Sequence, residues 1–224
     1  MTPFEFFFSF YGLVLGLSLT VMATGAARAF KHHKSVRVGW LTPLLATFVA
    51  LDISTFWGAA WSSFRLLPYS YGMLVLSLAI ALVYFIAASL VFPEAEDGVA
   101  RLDDHFWANK RAVLLLVIVS NALAWTAAIV IAWPSENRAS EIFGEAVNAV
   151  FFLLLTVPAA LTRRRRLFGA LIGFQVFYYV ASAAALAYQP HWGAYDADGD
   201  GVTQAQIRAA ADRPSALPSA PGSQ

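Results

Sequence analysis

The chain has 224 residues, 59% of them hydrophobic and 13% charged, with mean hydropathy +0.61. A soluble domain of this length is about 45–50% apolar and about 25% charged, so this composition argues against one. There is no cysteine, which excludes a disulfide framework, thiolate chemistry and a cysteine zinc site. The net charge of +1 says little as a sum, and the placement of the charges says more.

Apolar runs of about 18 or more residues read as membrane-spanning helices, because about 20 residues cross a ~30 Å hydrocarbon core. The chain has six such runs, approximately Phe4–Phe30, Trp40–Phe64, Pro68–Phe92, Ala112–Trp133, Glu145–Thr162 and Leu167–Tyr188. Helices satisfy their own backbone in lipid. Barrel strands would alternate polar and apolar residues over about ten positions, and these runs do not. The expected fold is therefore an all-α integral membrane protein, a six-helix bundle over residues 1–190 whose six spans pair as three hairpins. A short tail over 191–213 and a Pro/Ser/Ala-rich end over 214–224 follow it.

The first run ends in "AARA", a small-x-small pattern like a signal-peptide cleavage site. No Lys or Arg precedes it, Glu5 lies at its start and the run is too long, so it reads as a retained span. Within it, Ser9, Gly12, Gly16 and Thr20 form a small-residue stripe. Gly12 and Gly16 make a GxxxG, the spacing that lets helix backbones approach closely. This predicts packing inside the bundle, with a homo-oligomer contact as the alternative.

The second run contains "VALDISTFW", with Asp52 near its middle. Counted from Trp40, Asp52 lies about 18 Å along the helix. An Asp at the bilayer centre costs about 2.5–3.5 kcal/mol on insertion scales. Protonation, hydrogen bonding or a water-filled cavity must offset that cost. No Lys or Arg falls deep in any span. Asn121 and Gln175 are the expected partners at similar depth, and the Thr55–Ala59 direction is expected to face a neighbouring helix. Asp52 in "ALDIS", Asn121 in "VSNAL" and Gln175 in "GFQVF" each lie in the second helix of a hairpin. Each is followed four or five residues later by an aromatic residue, Trp57, Trp125 or Tyr179. Transporters descend from repeated units with a site near the midplane, so a triplicated hairpin stays open.

Polar residues also recur at helical spacing on the last two spans. These are Glu145, Asn148 and Thr156 on the fifth, and Gln175, Tyr178 and Ser182 on the sixth. Trp40, Trp61, Tyr69, Tyr71, Trp107, Trp133, Tyr188 and Trp192 cluster at span ends and read as interfacial anchors.

The basic residues divide unequally. Loops one, three and five carry eleven of the fifteen: Arg28, Lys31, Lys34, Arg37, Arg101, Lys110, Arg111 and Arg163–Arg166. The other side has Arg65, Arg138, Arg208 and Arg213. The positive-inside rule therefore predicts those three loops in the cytoplasm and both termini outside, in a plasma membrane such as a bacterial inner membrane. The third loop is also acidic (Glu94, Glu96, Asp97, Asp103, Asp104) and includes His105. It reads as a solvated loop rather than a metal site.

In the tail, "DADGDG" places Asp196, Asp198 and Asp200 at alternate positions before Gly201. This resembles the opening of an EF-hand calcium loop, where oxygen ligands stand at positions 1, 3 and 5 and a glycine at 6. The resemblance covers roughly a dozen residues. Position 12, a bidentate Glu in that family, falls on Ile207, or on Gln206 with a one-residue shift. The resemblance thus implies three ligands, Asp196, Asp198 and Asp200, and weak Ca²⁺ binding, suited to an extracytoplasmic site.

Other chemistries find no support. His32, His33, His105 and His191 all fall outside the middle of the spans, which disfavours a transmembrane bis-His haem. No HExxH, GxSxG or Walker motif occurs, and no second intramembrane Asp stands ready for an aspartyl protease. "RRRR" beside a span reads as a topology signal and an anionic-lipid contact, not as nucleic-acid binding. The lipid bilayer is the expected partner. Two functional readings remain: a small transporter or channel subunit centred on Asp52, and a non-catalytic sensor or scaffold whose tail binds calcium.

Overall fold

The computed structural model describes residues 3–31, 39–64, 71–93, 102–133 and 137–187. These form six α-helices: α1 (Pro3–Lys31), α2 (Leu41–Phe64), α3 (Tyr71–Ser89), α4 (Leu102–Ala132), α5 (Arg138–Leu161) and α6 (Arg165–Ala187). There are no strands among the described residues. All six helices are long and apolar enough to cross a membrane. The chain divides into two compact units, residues 1–180 and residues 181–224. Of the second, the described residues are the end of α6. Asp196, Asp198 and Asp200 lie outside the described residues.

Two helices start well before the apolar runs that signal them. α4 begins at Leu102, ten residues ahead of the expected Ala112, and its first turn carries Asp103 and Asp104. Carboxylates are favourable at that end because they face the unpaired N–H groups of the first turn. Asp103, Asp104, His105 and Lys110 are therefore helical residues, not members of a solvated loop. α5 likewise begins at Arg138 rather than near Glu145. Hydropathy marks where a helix becomes apolar, and polar residues with adequate propensity extend it beyond that point.

In the first unit α2 is the central helix. It packs on α1, α3 and α4. Its Phe48 stacks on Phe152 of α5 and on Tyr179 of α6, with ring centroids 6.3 Å apart in both cases. The inward stripe of α2 is Leu41, Leu45, Phe48, Val49, Asp52 and Ile53, all buried. Those positions recur at three- and four-residue steps, the period that keeps one helix face toward a core. Around this stripe lie Tyr11 and Leu15 of α1, Ile80 and Tyr84 of α3, Val113, Leu114 and Val117 of α4, and Ile172 of α6.

The ends of the helices that bear most of the basic residues are tied together. Asp103 of α4 pairs with Arg165 of α6 at 2.9 Å. His105 of α4 lies 3.1 Å from the carbonyl oxygen of Leu90, just past α3. Lys110 is buried, and its Nζ donates to the carbonyl oxygens of Ala159 (3.0 Å), Ala160 (3.2 Å) and Thr162. The last carbonyls of a helix have no intrahelical partner, and a cation there also meets the negative end of the dipole. Lys110 thus caps α5 from a neighbouring helix, between the rings of Trp107 (5.0 Å) and Phe168 (5.4 Å).

Close approach is concentrated at three glycines near this end, Gly25, Gly39 (against Asp103) and Gly169. A Cβ on Gly25 would collide with Phe92, and one on Gly169 with the Trp40 ring. The expected GxxxG contact is different. Gly12 faces the Trp57 ring, while among the described residues nothing stands within 4 Å of a Cβ placed on Gly16. The two glycines therefore do not share one close helix contact.

Candidate functional site

Asp52 is 3% exposed and lies midway along α2. A carboxylate there has lost its water, so its lone pairs need donors from the protein. Three other helices supply them. Tyr84 of α3 donates its hydroxyl to Oδ2 at 2.8 Å. Asn121 of α4 donates Nδ2 to the same oxygen at 3.0 Å. Tyr179 of α6 donates its hydroxyl to Oδ1 at 2.7 Å. Among the described residues, no Lys, Arg or His joins this set.

The donors are themselves oriented. Asn121 Nδ2 lies 3.0 Å from the Val117 carbonyl oxygen one turn back on α4, and 3.1 Å from the Tyr84 hydroxyl. A carbonyl can only accept, so the amide must present its nitrogen on this side. Nδ2 has two hydrogens: one goes to Val117, and the other is shared between Asp52 Oδ2 and the Tyr84 hydroxyl, which keeps its own hydrogen for Asp52. On α6, Gln175 lies one turn before Tyr179 and its Oε1 accepts from Thr156 of α5 at 3.2 Å. Thr156 is fully buried and Gln175 is 1% exposed. The polar thread Tyr179–Asp52–Asn121–Tyr84 therefore visits four of the six helices, and the Thr156–Gln175 pair ties α5 to α6 one turn away.

Aromatic rings pack around this thread. Phe48 stacks on Tyr179, Phe56 tilts against Tyr84 at 5.6 Å, and Tyr11 of α1 meets Phe56 edge-on at 5.8 Å. On the α5 side Phe152 lies between Phe48 and Trp125. Low polarity around the thread strengthens each hydrogen bond and raises the cost of leaving one unmade.

Of the residues singled out from sequence, Asp52 and Asn121 are in direct contact, while Gln175 bonds to Thr156 of α5 instead. Thr55 is exposed on the outer surface, contrary to the expectation that its side of α2 faces a neighbour. It falls one position off the stripe that carries Asp52 and Phe56. Asn148 and Tyr178 are also exposed, while Thr156 is buried. Sequence reasoning misses Tyr84 and Tyr11. The available signal is a tyrosine inside an apolar run rather than at its end, since a buried phenol needs a polar partner. Among the described residues no cluster of three or more His, Asp or Glu side chains could hold a metal ion.

In comparison with known proteins, the chain matches no family model, no curated protein and no solved structure.

Proposed function

We propose that this is a multi-pass membrane protein, inserted with its basic loops in the cytoplasm and both termini outside, and that it works as a small transporter or channel subunit with Asp52 as its ion-coupling group. One observation carries the reading: a single carboxylate sits at mid-bundle, held by donors from three helices and matched, among the described residues, by no cation. Ionisable groups at membrane depth are costly and serve function by default. Lys110 and Arg165, the basic residues with described buried or ion-paired contacts, are committed elsewhere, to the α5 carbonyls and to Asp103. A site spread over four helices also senses any relative movement among them, as alternating access requires.

Insertion is supported by the exterior. Phe143, Val150, Leu154 and Leu161 on α5 and Phe177 on α6 are each more than half exposed. An apolar face of that extent is unfavourable in water and natural in lipid. Orientation is supported by the basic residues at the Lys110 end of the bundle.

The test is flux in vesicles. Purified protein is reconstituted and given an ion or pH gradient across the membrane, with internal pH and membrane potential followed by dyes. Flux that is present with the native chain and absent with Asp52→Asn supports the reading. If native protein moves no ion under either gradient, the transport reading fails.

A further inference from the structure

We propose that the ion handled at Asp52 is a proton, and that the site is built to reject metal cations. This rests on the reading of Asp52 as a coupling group and specifies its substrate.

The hydrogens decide between the two ions. Each polar group around the carboxylate turns a hydrogen toward it: the Tyr84 hydroxyl, the Tyr179 hydroxyl and Asn121 Nδ2. Two of the three cannot reverse without losing a bond: Asn121 is fixed by Val117, and Tyr84 by the hydrogen that Asn121 turns toward it. A metal cation would face their positive dipole ends. Calcium takes six to eight oxygen ligands and magnesium six. This site offers four oxygens, those of Asp52, Tyr84 and Tyr179, with both hydroxyl hydrogens in the way. Alkali cations likewise need several lone pairs aimed at them, as in filters lined by carbonyls. A proton needs one. It adds to Asp52 Oδ1, and the Tyr179 hydroxyl turns to accept from the new O–H. One O–H bond forms, none breaks within the protein, and the proton is drawn from the aqueous phase.

The groups facing Asp52 fit this scheme. α1 contributes the ring of Tyr11, by way of Phe56, and α3 contributes Tyr84. α4 contributes Asn121, α5 the ring of Phe152 by way of Phe48, and α6 contributes Tyr179. Tyrosine is the one titratable type among these groups, and among the described residues no second carboxylate competes for the proton.

The test is infrared difference spectroscopy of the full-length protein in lipid vesicles, titrated with acid in choline, sodium, potassium or calcium buffers. The expected result is one carboxylic acid carbonyl band that grows on acidification, disappears in Asp52→Asn, and follows the same curve in all four buffers. If Asp52→Asn does not fold, Tyr179→Phe identifies the band instead. With one donor removed, the carboxyl should hold its proton about ten- to a hundredfold more tightly, and its band should move in frequency. A band that shrinks at constant pH when choline is replaced by a metal ion overturns the proton assignment and leaves the coupling role standing. A carboxyl that neither titrates nor responds to any cation overturns both. An intact titration without flux in the vesicle assay leaves the proton site standing and removes transport.

Discussion

Replacing Asp52 by Asn and by Ala separates an ion-handling carboxylate from one that merely holds helices together. Both substitutions remove the charge, so the cost of desolvating it cancels when the two variants are compared. What differs is the fate of the donors. In Asp52→Asn the new amide oxygen can still accept from Tyr84 and Asn121, and its nitrogen can turn toward the Tyr179 hydroxyl. In Asp52→Ala all three donors lose their acceptor inside the bundle. A buried donor left unpaired costs about 1–3 kcal/mol. Membrane-protein double-mutant cycles give about 0.6 kcal/mol on average and about 1.7 at most for an interhelical bond. Two retained bonds at the overlap of those ranges, about 1–1.7 kcal/mol each, put the Ala variant about 2–3.4 kcal/mol below the Asn variant. For a domain of about 200 residues that corresponds to roughly 4–14 °C in melting temperature. The assay is thermal unfolding in detergent micelles, followed by tryptophan fluorescence. Asp52→Asn should melt close to the native protein and carry no flux. Equal and large losses in both variants would refute the reasoning, because an amide that cannot replace the carboxylate marks an architectural role.

Three other outcomes follow from the geometry. Lys110→Met keeps the aliphatic stem but strips the cap from α5 and the cation from between Trp107 and Phe168. It should lower stability by about 2–3 kcal/mol, read in the same melting assay. Gly25→Leu should destabilise by about 1–3 kcal/mol because Phe92 occupies the space, whereas Gly16→Ala should be neutral or slightly stabilising, since its site is open and Ala is the better helix former. In the tail, calorimetry of the full-length protein in micelles should register calcium binding with Kd about 10⁻⁴–10⁻³ M, lost when Asp196, Asp198 and Asp200 are all changed to Asn. Identical traces for the two proteins would end that proposal.

The helix count and the central acid were both legible from the primary structure, because hydropathy and the cost of burying a charge act locally. Asp52 stood out against about twenty apolar neighbours, and Asn121 could be chosen from depth alone. The remaining partners depended on rotation about each helix axis, which depth does not reveal. Tyr84 passed as part of an apolar run because its ring is apolar and only its oxygen matters to Asp52. Gln175 occupied the expected level but faced the α5–α6 contact, and Tyr179, one turn on, took the place beside the carboxylate. The hairpin repeat suffers from the same detail. Asp52 accepts from three helices, Asn121 is a donor to it and Gln175 accepts from Thr156, while Trp57, Trp125 and Tyr179 make unlike contacts. Lys110 was hidden differently: a cation beside a run of loop charges is read as solvated until a helix end is found against it.

Ribosomal synthesis adds a time axis to this architecture. Asp52 leaves the ribosome early, its ligand on α3 soon after, and Tyr179 only when nearly the whole bundle has been made. Until then one oxygen of the acid lacks its mate, so the nascent chain carries an open polar wound that only the last helix can close. A chain stopped short of α6 would keep that wound, because Tyr179 is the hydroxyl that meets the second oxygen.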